Sequence, residues 1–199
     1  AKGNIDEAAA LARKMLQHYP DNREARLMAL SLMFQTGNAV EVGDELIAIG
    51  QESPDAMAMH HTAPRSWQTL MAWVLAERGD DPAAVRALDE SLQAAEVAVA
   101  NGSTDQRRSI DAASVHAYRG NNEAALRELE RAYELGLRAD FALAVDPFFV
   151  SLRDESRFQM LLERMAESKR EQQDIARRTG VLKGYDELIL SGPVKLDVL

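Results

Sequence analysis

The 199-residue chain has no cysteine, and aromatic residues make up only 6% of it. Without cysteine there is no disulfide scaffold, no thiol nucleophile and no Cys-ligated zinc. The compartment stays open, because exported proteins also dispense with cysteine. Positive charge is scarce as well: 23 Lys and Arg face 32 Asp and Glu, for a net charge of −9. That balance argues against nucleic acid and anionic membranes as partners, since both select for a basic face. No apolar run approaches the roughly 20 residues of a membrane-spanning helix, and the opening residues lack the pattern of a signal peptide. A Gly-rich phosphate loop, an H-E-x-x-H pair and a G-x-S-x-G elbow are all missing. What remains is a 46% hydrophobic chain, long enough for one domain with a sizeable core.

The informative feature is a repeat. Gly3-Asn4 recurs as Gly37-Asn38, and Pro20 recurs as Pro54, both 34 residues apart. The same turn signal returns as Gly79-Asp80 and Gly120-Asn121, at separations of 42 and 41, which implies two insertions. Five residues after each glycine stand Ala8, Val42, Ala84 and Ala125; four further on come Ala12, Leu46, Leu88 and Leu129. A pair of apolar residues at i and i+4 after a tight turn is what a packed helix requires. Before the turns lie Arg26-x-x-Ala29-Leu30-x-x-Met33, Gln68-x-x-Met71-Ala72-x-x-Leu75 and Ser109-x-x-Ala112-Ala113-x-x-His116. Ala72 and Ala113 are small enough to let two helices approach closely. The unit is helix, tight turn, helix.

Over roughly residues 1–137 this unit resembles the tetratricopeptide repeat family. Pro20 and Pro54 match its terminal proline, and Ala8, Ala84 and Ala125 match its alanine. The family's first-helix Trp is replaced by Arg26, Gln68 and Ser109. The resemblance implies an all-α, right-handed helical solenoid with a half repeat at 1–22 and repeats at 23–56, 65–100 and 105–137. Helices are expected near 5–19, 23–36, 39–51, 65–78, 82–100, 105–119 and 121–136. Residues 55–64 form an inserted loop bounded by Pro54 and Pro64, and Asn101-Gly102-Ser103-Thr104 is a helix stop followed by an N-cap. Because the chain opens on a turn that leads into a second helix, it is expected to continue a longer parent protein, with a packed terminal half repeat as the alternative.

After Gly136 the period lapses, and residues 138–179 are expected to cap the array. Asp146-Pro147 is a turn or first-turn signal. Phe148, Phe149 and Phe158 are placed to cover the last repeat's open face. A long helix is expected from Asp154 to about Thr179, with Phe158, Leu161, Leu162, Met165 and Ile175 as its apolar positions. The segment from Asp146 to Met165 resembles the closing segment of repeat arrays in large bacterial signalling proteins. Residues 180–199 are apolar without helical period and form a tail that either packs back, pairs with another chain or stays mobile.

No side-chain constellation points to catalysis. His116 takes the packing position of Met33 and Leu75, which suits a core histidine. His60 and His61 are adjacent, so their imidazoles do not converge on one metal; no metal and no cofactor is expected. Carboxylate pairs such as Asp44-Glu45, Asp80-Asp81 and Asp89-Glu90 are explained by turn caps and solvated helix faces, since acid–base work needs burial and a facing partner. The functional surface is then the concave groove lined by the first helices. Off-packing positions there are Glu24, Leu27, Ser31, Phe34 and Gln35; then Ser66, Thr69, Trp73, Ala76 and Glu77; then Arg107, Ile110, Ser114, Ala117 and Tyr118. Leu27, Phe34, Trp73, Glu77, Arg107, Ile110 and Tyr118 are the candidate binding residues. Phe34, Trp73 and Tyr118 stand at or beside equivalent positions as anchors for a peptide, with space-filling between helices or under the C-terminal segment as the alternative. Arg107 is the one cation at these positions, which disfavours acidic peptide C-termini and favours a neutral, apolar or weakly basic segment.

The sequence thus predicts a non-enzymatic protein-interaction module that binds a peptide or partner domain in its groove. The alternative is a C-terminal regulatory, structural or dimerising appendage of a bacterial enzyme or signalling protein whose catalytic domain lies before Ala1. Partners are expected to be protein or peptide, another domain of the same parent, or a second copy; neither nucleic acid nor membrane insertion is expected. A cytoplasmic location is favoured, with the periplasm as the alternative.

Overall fold

A computed structural model of the chain describes residues 2–52, 57–58 and 64–180. Ala1, His60, His61 and the tail 181–199 lie outside the described residues, as does most of the inserted loop. Helices α1 (Lys2–His18), α2 (Arg23–Gln35), α3 (Gly43–Glu52), α4 (Trp67–Glu77), α5 (Asp81–Ala100), α6 (Gln106–Tyr118) and α7 (Asn122–Glu134) follow the expected spans closely. A 3-10 turn, Ala39–Val42, leads into α3. Strands β1 (Met57–Ala58) and β2 (Arg65–Ser66) form one short antiparallel bridge, pairing Met57 with Ser66 and Ala58 with Arg65.

The turns are alike because their chemistry is. Gly37, Gly79 and Gly120 have φ of 75°, 79° and 72°, the left-handed conformation that a Cβ disfavours. Behind each, the next residue's N–H reaches back to close the helix: Asn38 to the Met33 carbonyl at 2.8 Å, Asp80 to Leu75 at 2.9 Å, Asn121 to His116 at 2.8 Å. These are Schellman closures, and they set each helix antiparallel to the last. Gly3-Asn4 is the exception, because it lies inside α1.

Helix starts are set by side-chain caps. Asn22 accepts from the Ala25 N–H at 3.0 Å, Ser66 from Thr69 at 3.3 Å and Asp80 from Ala83 at 3.3 Å. The cap of α6 is Asp105, which accepts from the Arg107 N–H at 3.0 Å. Ser103, in the expected cap segment, instead accepts from the Asp105 N–H. The insertion before Asn101 lengthens α5 to 20 residues.

The core runs through the array along the predicted positions: Leu30, Ala72 and Ala113 are fully buried, as are Leu46 and Leu129. Two contacts were not legible in the repeat. Gly43 and Gly50 lie on the face of α3 that meets α4, where an added Cβ would come within 2.7 Å of Val74 and of the Met71 Cβ respectively. Their lack of a side chain is what lets the two helices pack so closely.

Beyond α7 come α8 (Asp140–Val145), a 3-10 segment (Pro147–Leu152) and α9 (Ser156–Arg178). Phe158, Leu161 and Met165 of α9 are buried as expected. Arg157 clasps Glu123 at 2.8 Å and Glu130 at 2.6 Å on α7, and Lys169 pairs with Asp140. Ile175 departs from expectation and is exposed, because α9 runs on past the described elements it packs against, α7 and α8.

Candidate functional site

The helices α2, α4 and α6 are the first helices of the three expected repeats and carry the predicted groove residues. Their aromatic residues meet on a fourth ring from outside the repeats. Phe34 packs edge-on to Trp73 with ring centres 5.2 Å apart, Phe148 lies 5.8 Å from Phe34, and Tyr118 meets Phe148 at 6.3 Å. Phe148 belongs to the 3-10 segment after α8, so the chain's own residues 146–152 pack against the aromatic residues of α2 and α6. Phe149 completes the join to the cap, 6.2 Å from Phe158. The expectation that Phe148 and Phe149 cover the last repeat is therefore too narrow, since Phe148 also reaches the first full repeat. Each such aromatic pair adds about 0.5–1.5 kcal/mol beyond area burial.

The centre of the cluster is charged. Arg65, with a side chain only 2% exposed, forks onto Asp146, itself 4% exposed. Nη1 donates to Oδ1 at 3.2 Å and Nη2 to Oδ2. The guanidinium stacks within 4.9 Å of the Phe148 ring centre, 5.7 Å of Phe149 and 5.8 Å of Phe34. Asp146 also accepts from the Phe148 N–H at 2.9 Å, which fixes the first turn of the segment. β2 holds Arg65 in place: Ser66, the next residue, is the N-cap of α4.

Ser66 joins a second buried network. Asp111 on α6 is fully buried, and its Oδ1 accepts from the Ser66 N–H at 2.8 Å, the Ser66 hydroxyl at 3.0 Å and the Thr69 hydroxyl at 2.8 Å. Thr69 shares a 2.6 Å hydrogen bond with Ser91. Burial pushes the Asp111 carboxyl above its ordinary 3.8, against the pull of those donors and of Arg65. Its Oδ2 has no hydrogen-bond partner and stands 3.9 Å from Arg108.

The predicted residues are distributed as follows. Phe34, Trp73 and Tyr118 come together; Phe34 and Trp73 are buried, whereas Tyr118 is 42% exposed. Glu77 is exposed, and its charge, after burial, helps raise the Tyr118 hydroxyl above 10.0. Ile110 is fully buried in the core. Arg107 is half-buried and bound to Asp105 of its own cap at 2.7 and 2.8 Å. Leu27 lines a 480 Å³ cavity between α2 and α3, with Arg26, Glu45 and Ile49. His116 is half-buried, and that burial lowers its pKa.

Sequence reasoning missed Arg65, Asp111 and the pairing of Asp146. Arg65 precedes a cap and lies off the repeat, so no period marks it. Among the described residues no group of three His, Asp or Glu is placed to hold a metal ion, and no helix is long and apolar enough to cross a membrane.

No curated protein and no solved structure matches the chain. The family model of the tetratricopeptide repeat matches residues 1–63, the span that holds α1, α2, α3 and the first Schellman turn. Over residues 1–63 the chain is thus similar to the tetratricopeptide repeat, and the helices that follow are joined by glycine turns of the same kind in an all-α fold.

Proposed function

We propose that the chain is a non-enzymatic protein-interaction module that takes a peptide or partner domain on the concave face of its array. The repeat family suggests protein–protein interaction. One observation carries the finer reading: the face made by α2, α4 and α6 already holds a short peptide segment, through aromatic rings and a forked guanidinium. At the rim, Tyr118 and Glu77 remain exposed, and Tyr118 leads from the solvent to the buried rings. Affinity capture from the source organism's lysate tests this. The baits are the wild type and a Trp73→Ala/Tyr118→Ala chain shown by circular dichroism to keep its helices. A partner held by the first and lost by the second is the expected result; equal capture by both sinks the groove assignment.

A second reading has its own observation. Leu11 on α1 and Tyr19 just past its end are exposed, with Met15 half-buried between them, one stripe at four-residue spacing. Such a stripe suits another helix, from a preceding domain of the same parent or from a second copy. Sedimentation of wild type and Leu11→Lys/Tyr19→Lys over a range of concentrations separates these: a mass that rises for wild type alone identifies the second copy.

A further inference from the structure

We infer that the concave face is a receptor for a peptide carrying Asp-Pro followed by two aromatic residues, and that Asp146–Leu152 is its resident, exchangeable ligand. The inference rests on the interaction-module reading and names the ligand class of that same face.

Three features describe the receptor. First, the Asp146 and Phe148 side chains meet groups presented by the repeats and by β2: the Asp146 carboxylate meets Arg65, and the Phe148 ring meets Phe34, Tyr118 and the Arg65 guanidinium, while the Phe149 ring meets Arg65 and Phe158 of α9. A forked guanidinium selects a carboxylate over a point acceptor. Stacked rings around it exclude water and add selectivity for aromatic neighbours. Arg65 is a second cation at this face, so the proposed ligand departs from the neutral, apolar or weakly basic segment expected from Arg107 alone.

Second, the segment owes its place to these side chains more than to its own backbone. It is a 3-10 turn with Phe149 off helical geometry at φ −101° and ψ 20°. Its flanking backbone hydrogen bonds are long, 3.4 Å from Asp146 N–H to Leu143 and 3.4 Å from Arg153 N–H to Val150. The ion pair at its head is deeply buried, where loss of hydration offsets much of the attraction. Such a pair sets which ligand fits more than how firmly it is held.

Third, one side of the segment is incompletely packed. A cavity of 320 Å³ lies between it and the α1–α2 pair, lined on the segment's side by Pro147 and Val150, and a second of 220 Å³ lies between α8 and the same pair. Ile5, Gln35, Thr36 and Val145 line both, while Phe141 and Val150 point into solvent, 63% and 56% exposed.

The resident segment competes at an effective concentration on the order of millimolar, so it must be weakened before exchange is seen. The experiment titrates a fluorescein-labelled peptide spanning residues 144–153 into the full chain carrying Asp146→Asn and Phe148→Ala, which leaves every receptor residue intact. Anisotropy is expected to show saturable binding about tenfold tighter than to wild type. A peptide with Asn for the Asp is expected to lose about tenfold, the value of one charge-assisted contact. No saturable binding up to about 1 mM, or equal binding of the Asp and Asn peptides, overturns the inference. If the double variant loses its helical signal, the single Asp146→Asn chain takes its place under the same criteria. Partner capture that depends on Trp73 and Tyr118 while this peptide fails to bind would reject the ligand class and leave the module standing. Peptide binding without any captured partner would do the reverse.

Discussion

Removing the Arg65 guanidinium leaves the Asp146 carboxylate 4% exposed with the Phe148 N–H as its remaining donor among its hydrogen bonds. An unpaired buried charge of that kind costs about 3–5 kcal/mol, so Arg65→Ala should lower the urea midpoint sharply. Arg65→Met with Asp146→Leu should lose much less, because both charges leave together. Equal losses for the single and double variants would show that packing of the Arg65 stem, not charge, dominates. Asp111 gives a prediction in pH. Its native carboxyl titrates above its ordinary 3.8 because of burial, so the folded chain binds this proton more tightly than the unfolded one. Stability from this group therefore falls as pH rises from the ordinary carboxylate range through the raised value. In Asp111→Asn the titration is gone, so the wild type should lose stability relative to that variant as pH rises above the ordinary carboxylate range. Urea midpoints that stay parallel across the range would refute the assignment. Neither Arg65 nor Asp111 was legible in the sequence. Their partners lie 81 and 45 residues away, and no local period encodes such a meeting.

At the scale of the elements, the glycines fall into two kinds that one substitution separates. Gly79 has φ of 79° and nothing within 4 Å of a built Cβ, so Gly79→Ala should cost about 1–2 kcal/mol through the backbone alone. Gly79→Asn should recover most of it, since asparagine tolerates that conformation. Gly50 is helical, and its Cβ would stand 2.7 Å from the Met71 Cβ. There Gly50→Ala sets an overpacking cost of about 1–3 kcal/mol against a helix-propensity gain of about 1 kcal/mol. Overpacking should win, because a Cβ close to the backbone cannot swing aside, and Gly50→Asn should be worse still. Thermal melts of the four variants decide it; recovery at position 50 by asparagine would mean that α3 and α4 part easily. The Gly-Asn and Gly-Asp turns were readable because each acts on its own helix end. The Gly43 and Gly50 contacts were not, because a close approach is a property of two helices, and only one of them holds the glycine. The apolar rows of α9 were readable for the same local reason, up to the point where the neighbouring helices end and Ile175 meets solvent.

For the whole molecule, Phe148 changes how the repeats depend on one another. In an open solenoid each repeat touches only its neighbours, and damage at one end stays there. Here Phe148 lies against Phe34 of α2 and Tyr118 of α6, and Phe34 in turn against Trp73 of α4. One residue after the array thus ties all three of these helices, across a separation that nearest-neighbour packing does not span. Phe148→Ala should cost about 3–5 kcal/mol, and the loss should not be confined to the cap. Amide exchange should quicken in α2 as well as in α6, and a single unfolding transition should broaden or split as the ring of contacts opens. Faster exchange limited to α6–α9, with α2 unchanged, would mean that the segment merely caps the last repeat. The same measurement bears on function, because a face that loosens as a unit when its resident segment is weakened has its rings exposed together, as binding of a partner peptide requires.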